Sequence, residues 1–427
     1  MNNTEKMLEF IEKCPTSLHT VETVKKMLSE RGFTELSEKD TEKYTDKAAH
    51  FVTRGDSSII AFKGGKHAES FMVCASHGDT PALKVTGLCE RVGAYATVPV
   101  EKYGGSILYS WLDRPLSVAG RVVLKTEDGI KIKLFNIERD LLSIPSIAIH
   151  QNRTVNDGYK FNVAKDMLPL FSLDTEGGRL YELIAKATNA SRDDIISADV
   201  YVYNREKGRV FGLNDEFILS PRLDNLASVF TSLTAFLDTP ERDDTVSVFV
   251  AFDNEEVGNS TKQGANSTFL KSVLQKLSGG EDKLLSMLTD SFMVSLDNSH
   301  AKHPNHPELS NPAASPILGG GVAVKYHANQ FYTTDAVSDG VIRTLARKAD
   351  VPLQSFATRA DMLSGSTLGS VATTRLGIPS VDLGIPELAM HSSSEICSSL
   401  DIDHAIKLIS MLFSSRLSRS SSEIKII

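Results

Sequence analysis

Two short polar strings in the 427-residue chain have residue types that could hold and use a metal ion: His77-Gly78-Asp79-Thr80-Pro81 and Asp253-Asn254-Glu255-Glu256. Each follows an apolar run, Phe71 to Ala75 and Thr245 to Phe252. Asp297 follows Phe292 to Leu296, and His391 lies a short loop after Ser380 to Leu383. Imidazole and carboxylate without thiolate suit zinc, cobalt or manganese, and a bridging carboxylate permits two ions roughly 3.5 to 4 Å apart. Asp224, at an expected helix start after Pro221, is the natural bridge. Asp79 can take the second imidazole proton of His77 and so set its tautomer. Neighbouring side chains at a strand end point in different directions, so one of Glu255 and Glu256 can bind metal while the other stays free as a general base. Water held between two cations loses its proton readily, and a free carboxylate can take that proton and pass it to a departing amine. Amide hydrolysis fits that equipment.

The elements that must position these residues are legible in the pattern. Apolar spacing at Met7, Leu8 and Ile11, then at Val21, Val24, Met27 and Leu28, predicts helices that Gly32 stops. Short apolar runs predict strands over 57–62, 71–75, 245–252, 292–296 and 380–383, and helical patterns fall at 226–236, 271–288, 335–348, 365–376 and 403–413. Between about Val85 and Phe211 the texture changes to β-like runs at 106–112, 120–124, 130–135 and 198–203, with one helical stretch near 180–190. The expected fold is therefore α/β, a mixed, largely parallel sheet flanked by helices, carrying an inserted β-rich domain. The boundaries read as 1–85 and 212–427 for the catalytic domain and 86–211 for the insertion. Parallel strands end on one edge of such a sheet, where ligands bind, so the four separated segments should converge there. Taken singly, a His-x-Asp turn or an acidic loop is most often structural; the shared position after buried strands carries the functional reading. The Pro-rich loop with His300, His303 and His306 reads as an ordinary loop beside the site. Gly319-Gly320-Gly321 and Gly365-Ser366-Thr367 lack a phosphate-loop lysine and read as turns near the cleft. The tail from Ser414 to Ile427 reads as frayed.

Composition narrows the partners. With 46 Lys and Arg against 54 Asp and Glu the net charge is −8, without a basic run, which argues against nucleic acid. No apolar stretch approaches a membrane span, and no apolar core of a signal peptide follows Met1. Cys14, Cys74, Cys89 and Cys397 are scattered, not spaced as a disulfide framework. A cytoplasmic location with free thiols is the expectation.

The chain resembles the aspartyl aminopeptidases and their vacuolar aminopeptidase relatives, which are dinuclear zinc metallopeptidases. The resemblance runs from Cys14-Pro15-Thr16-Ser17-Leu18-His19-Thr20-Val21 to the segment around His391. Its specific stretches include His77 to Lys84, Tyr103-Gly104-Gly105, Trp111-Leu112-Asp113-Arg114, Ile147-Ala148-Ile149-His150 and Val155-Asn156-Asp157-Gly158. Further on come Ser220 to Asn225, Asp253 to Gly258, and Gly384-Ile385-Pro386 leading to Met390-His391-Ser392. It implies two divalent ions per subunit, most readily zinc, with cobalt or manganese as alternatives. His77, Asp224 and Asp297 would hold one ion and Asp224, Glu256 and His391 the other, with Glu255 as the base. His150 on the insertion would help bind the substrate or the tetrahedral intermediate, in its own or a neighbouring subunit, and the subunits would form a homo-oligomer, a tetrahedral dodecamer in the family. The substrates would be short peptides with a free N-terminus. Lys325, on a run resembling the family's specificity strand, is the candidate cation for an N-terminal Asp or Glu. Phe331 stands where the family often has Arg, so a broad neutral-residue aminopeptidase is the alternative preference. A two-metal phosphoesterase and a metal-binding scaffold with lapsed catalysis are the alternatives of other classes, and every expected ligand and the base are intact.

Overall fold

The computed structural model describes residues 1–44, 46–86, 91–174 and 176–427. Cys89 lies outside the described residues. Nine strands form the central sheet, in the spatial order Thr34–Glu35, His50–Arg54, Ser58–Gly64, Val246–Phe252, Phe71–His77, Phe292–Leu296, Ser380–Gly384, Val322–Tyr326, Leu353–Ala357. The middle of it is parallel: Phe71–His77 pairs in parallel with Val246–Phe252 and Phe292–Leu296, and the latter with Ser380–Gly384. These strands read as unbroken apolar runs because both faces are covered. In Val246–Phe252, Phe249 and Ala251 enter one core cluster, while Val246, Val248, Val250 and Phe252 enter another. Helices Asn3–Glu12, Ser17–Glu30, Leu223–Asp238, Ala336–Ala349 and Ser399–Phe413 contribute to the first cluster, and Phe269–Ser278, Glu281–Leu288 and Leu368–Leu376 to the second.

A separate five-stranded sheet, in the order Ile130–Asn136, Leu116–Lys125, Ile195–Asn204, Ala82–Val85, Val100–Tyr103, forms the inserted module. Its own core includes Leu83, Trp111, Val118, Val122, Ile184 and Val202. The strand Ala82–Val85 pairs inside this sheet, so the module's sheet begins at Ala82 and not after residue 85. At the other end, Arg209–Phe211 pairs with Phe217–Ser220 in a different sheet, which also contains Glu395–Ser398, so the module's sheet ends at Asn204 and not near residue 211.

Three local expectations are corrected. The run 106–112 is not a strand: Leu108–Trp111 is a 3₁₀ turn, closed by the Ser110 hydroxyl and backbone amide on the Ile107 carbonyl. The helical region 271–288 is two helices separated by Gly279 and Gly280, whose φ values of 83° and 153° suit glycine. The tail is ordered as a hairpin, Leu417–Arg419 with Ile424–Ile426, because Leu417 is buried and Ile424 and Ile426 pack on the core. Among the described residues no helix is long and apolar enough to cross a membrane.

Phe236 joins the helical layer to the sheet. It is fully buried, with ring centroids 5.5 Å from Phe33, 6.1 Å from Phe249 and 5.6 Å from Phe413. Phe236→Ala should therefore cost about 3–5 kcal/mol, the range for emptying an aromatic site that cannot collapse. Urea unfolding of the full chain measures this, and a loss under about 1 kcal/mol would show the site refills.

Candidate active site

His77 ends the fully buried strand Phe71–His77, and Glu255 and Glu256 lie in the short turn beyond Val246–Phe252. Asp297 follows Phe292–Leu296, and His391 lies in the loop after Pro386–Leu388. Asp224 sits at the head of helix Leu223–Asp238, where the backbone is not yet helical. These segments meet at one edge of the sheet because the parallel strands all point their carboxyl ends there.

The geometry divides the donors into two groups around one carboxylate. Nε2 of His77 is 3.5 Å from Asp224 Oδ1 and 3.2 Å from Asp297 Oδ1. Nε2 of His391 is 3.3 Å from Asp224 Oδ2 and 3.4 Å from Glu256 Oε2. Donor atoms of His77, Asp224 and Glu256 all lie within 4.8 Å of one another. Asp79 is spread over several tasks. His77 Nδ1 is 3.1 Å from its backbone carbonyl and 3.4 Å from Oδ1, while its carboxylate accepts the amides of Glu255 and Glu256, both at 3.2 Å, and the hydroxyl of Tyr103 at 2.7 Å.

Crowding sets the protonation. Burial pushes Glu255 up to about 8, and the charges of Asp297, Asp79 and Asp224 add to it. Glu256 is raised well above the usual carboxylate range by burial and then by Asp224. Burial alone would raise Asp224 too, but the attraction of the facing imidazoles of His391 and His77 outweighs it and holds that carboxyl low. Burial opposes a charged His77, yet Asp224, Asp297 and Asp79 together raise its pKa.

A metal fits this donor set on two counts. Asp224 Oδ1 and Glu256 Oε1 are buried without a hydrogen-bond partner, which ordinarily costs about 1–3 kcal/mol each unless a ligand takes them. The set is imidazole and carboxylate with no thiolate near it, as zinc, cobalt or manganese accept.

The site opens into a cleft of about 240 Å³ lined by His77, Asp224, Glu255, Asp297, His391, Lys325, Tyr332, Phe356 and others. Lys325 is buried, with Nζ 3.5 Å from Asp297 Oδ2 and 5.5 Å from the Tyr332 ring centre. His300 also lines the cleft, its ring edge-on to Phe356, whereas His303 and His306 lie against each other with tilted rings and do not line it. Phe331 is exposed and stacks on His327. Gly365, Ser366 and Thr367 line the cleft, but the amides of Gly319 and Gly321 bind Asp401 instead, so that turn serves the helix Ser399–Phe413. His150 is exposed on the inserted module and is not among the residues lining this chain's cleft.

Two functional supports are given no role by the sequence reading. Glu395, four residues past His391 in a serine-rich string, accepts the Asp224 amide on Oε2 at 3.0 Å and the His391 amide on Oε1 at 2.7 Å. Tyr103 reaches Asp79 from the inserted module. Only the folded chain brings either residue to its partners.

A doubly covered α/β sheet that gathers two imidazoles and several carboxylates at its carboxyl edge, beside a further carboxylate poised over a cleft, defines a metal-dependent hydrolase. The chain belongs to the M18 family: the family model described as Aminopeptidase I zinc metalloprotease (M18) matches residues 10–413. It is 40% identical over 417 residues to a probable M18 family aminopeptidase 2 of Clostridium novyi (strain NT), covering 94% of this chain and 96% of that one. It is 37% identical to aspartyl aminopeptidase 1 of Schizosaccharomyces pombe, covering 95% and 93%. Among solved structures, the complex of Ape4 and Nbr1 superposes with a TM-score of 0.93 at 35% identity, covering 96% of this chain and 85% of that one. The S. cerevisiae mApe1 dodecamer superposes at 0.85 with 26% identity, covering 96% of each. The chain is therefore a hydrolase of the zinc metalloaminopeptidase class.

The Glu395 contacts generate a prediction. Glu395→Gln leaves one of the two amides facing an NH₂ group in place of an oxygen, so zinc affinity should fall by about 10- to 100-fold, as for other groups that orient metal ligands. Competition with a chelator measures it, and wild-type affinity would show that the Asp224 and His391 loops hold themselves.

Proposed function

We propose that this chain removes N-terminal residues from short peptides through a dinuclear zinc centre, with a preference for N-terminal Asp or Glu. The observation that carries the dinuclear reading is Asp224, whose two carboxylate oxygens face different imidazoles at 3.5 and 3.3 Å. His77, Asp224 and Asp297 would hold one ion, and Asp224, Glu256 and His391 the other. Zinc, when bound, supplies Lewis acidity that polarises a carbonyl oxygen and makes water acidic enough to react near neutral pH. Glu255 faces the cleft and is left as the general base, taking the water's proton and returning it to the leaving amine. Asp79 fixes the ring of His77 and the turn carrying Glu255 and Glu256.

Because the cleft in one subunit lacks His150, that residue would act across a subunit contact, in a homo-oligomer supported by the likeness to the mApe1 dodecamer. The inserted module, 86–211 as read from sequence, would make that contact. Cobalt or manganese would serve the same donors. A cytoplasmic enzyme without nucleic-acid or membrane partners accords with the composition.

Lys325 is the buried cation of the cleft proposed to take an acidic side chain, since an unpaired desolvated carboxylate is strongly rejected. One observation favours the neutral alternative: the Lys325 ammonium already lies 3.5 Å from Asp297, and Phe331 is no substitute for a second cation.

Metal titration tests the bridge. Asp224→Ala should weaken both zinc sites, whereas His391→Ala should empty mainly one; two tight ions in Asp224→Ala would end the bridging role of Asp224. For specificity, kcat/KM on N-terminal Asp, Glu, Leu and Ala substrates should favour the acidic pair by on the order of 10-fold or more and lose that preference in Lys325→Ala. A wild type that favours Leu selects the neutral reading.

A further inference from the structure

We infer that the inserted module completes the catalytic site of its own subunit, with Tyr103 as the positioning residue that holds the Asp253-to-Glu256 turn. The inference rests on the proposed roles of Glu255 and Glu256.

Tyr103 ends the module's edge strand Val100–Tyr103 and is paired there with Ala82. Its ring is set edge-on against Tyr201 of the same module, with centroids 5.7 Å apart and an angle of 87°. That packing directs the hydroxyl out of the module and into the catalytic turn. The hydroxyl donates to Asp79 Oδ2 at 2.7 Å and accepts from Asn254 Nδ2 at 2.8 Å. Both partners govern the same four residues. Asp79 receives the amides of Glu255 and Glu256 at 3.2 Å each, and Asn254, with φ of 62°, is the left-handed residue immediately before them. The far side of Asn254 is held as well, since its Oδ1 accepts from Thr261 and Gln263. One phenol thus ties together the two groups that set where the Glu255 and Glu256 side chains point.

The residues after Tyr103 continue along the second group of ligands. A side chain at Gly104, where φ is 76°, would start 3.2 Å from Glu256 Cβ, and one at Gly105 would start 3.1 Å from His391 Nδ1. The Ile107 amide donates to the His391 carbonyl at 2.9 Å, and the Ser393 amide donates to Ser110 Oγ at 2.9 Å. Segment 103–110 therefore lies on the ligand loops, and a side chain at Gly104 or Gly105 would press on Glu256 or His391, which accounts for two glycines in sequence after a tyrosine. Tyr103 itself does not line the cleft. Loss of its hydroxyl should disturb the reacting groups and leave substrate contacts alone, so the effect should fall on kcat.

The test uses the full chain at saturating zinc. Tyr103→Phe keeps the ring and removes the hydroxyl; kcat should fall by about 10- to 100-fold, with KM unchanged and zinc per chain equal to wild type. Tyr201→Phe, which removes a hydroxyl from the packing partner, should keep wild-type kcat. Glu255→Gln, run in parallel, should lose about 10²- to 10⁴-fold. Wild-type kcat in Tyr103→Phe, a defect carried by KM, a defect that follows lost zinc, or an equal defect in Tyr201→Phe overturns the positioning role while Glu255 stands. Wild-type kcat in Glu255→Gln removes the base itself, and the inference falls with it.

Discussion

Buried like charges at one sheet edge are the constraint on which this structure turns. Asp79, Asp224, Glu255, Glu256 and Asp297 surround two imidazoles closely enough to influence one another's charge, and a like-charged pair at 4 Å opposes itself by about 4 kcal/mol at an effective dielectric of 20. Two imidazoles offset part of this, with Asp224 between them. Burial first, and then the remaining repulsion, drives the Glu255 and Glu256 carboxyls up and leaves buried oxygens with no partner. Divalent cations would answer both at once, because they reverse the local preference for protonated carboxyls and take up the idle lone pairs.

Holding such a cluster costs backbone strain, and the strain sits beside the ligands. Arg222, Asn254 and His391 all adopt left-handed φ, at 62°, 62° and 67°, next to or at Asp224, Glu255 and the last imidazole. Such conformations persist where surrounding contacts over-determine them. Here the contacts are specific. Arg222 donates to the carbonyls of Asn204 and Ile11, Asn254 is clamped by Tyr103, Thr261 and Gln263, and the two backbone polar groups of His391 are taken by Glu395 and Ile107. Several of these partners belong to the inserted module, so the module and the catalytic sheet are interdependent at the site even though each has its own core.

The cleft beyond the cluster shows how one cation can serve two purposes. Lys325 neutralises Asp297 from the second side and lies over the Tyr332 ring, while Thr333, in the same loop, is fastened to Asp382 through both its amide and its hydroxyl. Asp382 also accepts from Thr367, so a single buried carboxylate ties together two of the loops that line the cleft. Pocket shape and metal site are therefore built on adjacent strands and cannot vary independently.

Much of this was legible in the chain. Continuous apolar runs such as Phe71 to Ala75 and Phe292 to Leu296 announce strands covered on both faces, and the polar residues that follow them must fall on one edge because parallel strands share a direction. That logic, together with the ordered stretches shared with the M18 family, pointed to the candidate ligands and the candidate base. It did not reach Glu395, a lone Glu after three serines with no distinctive spacing, and it placed Tyr103 in a family stretch without giving it a role, because their partners lie 171 and 24 residues away. Nor did it find the ordered tail, whose Ile424 and Ile426 become informative only when a core stands beside them. Periodicity and residue type report what a segment can bury or bind locally; which backbone amides a carboxylate will meet, and which loop it will hold, is settled by contacts between distant segments that exist only once the sheet has assembled.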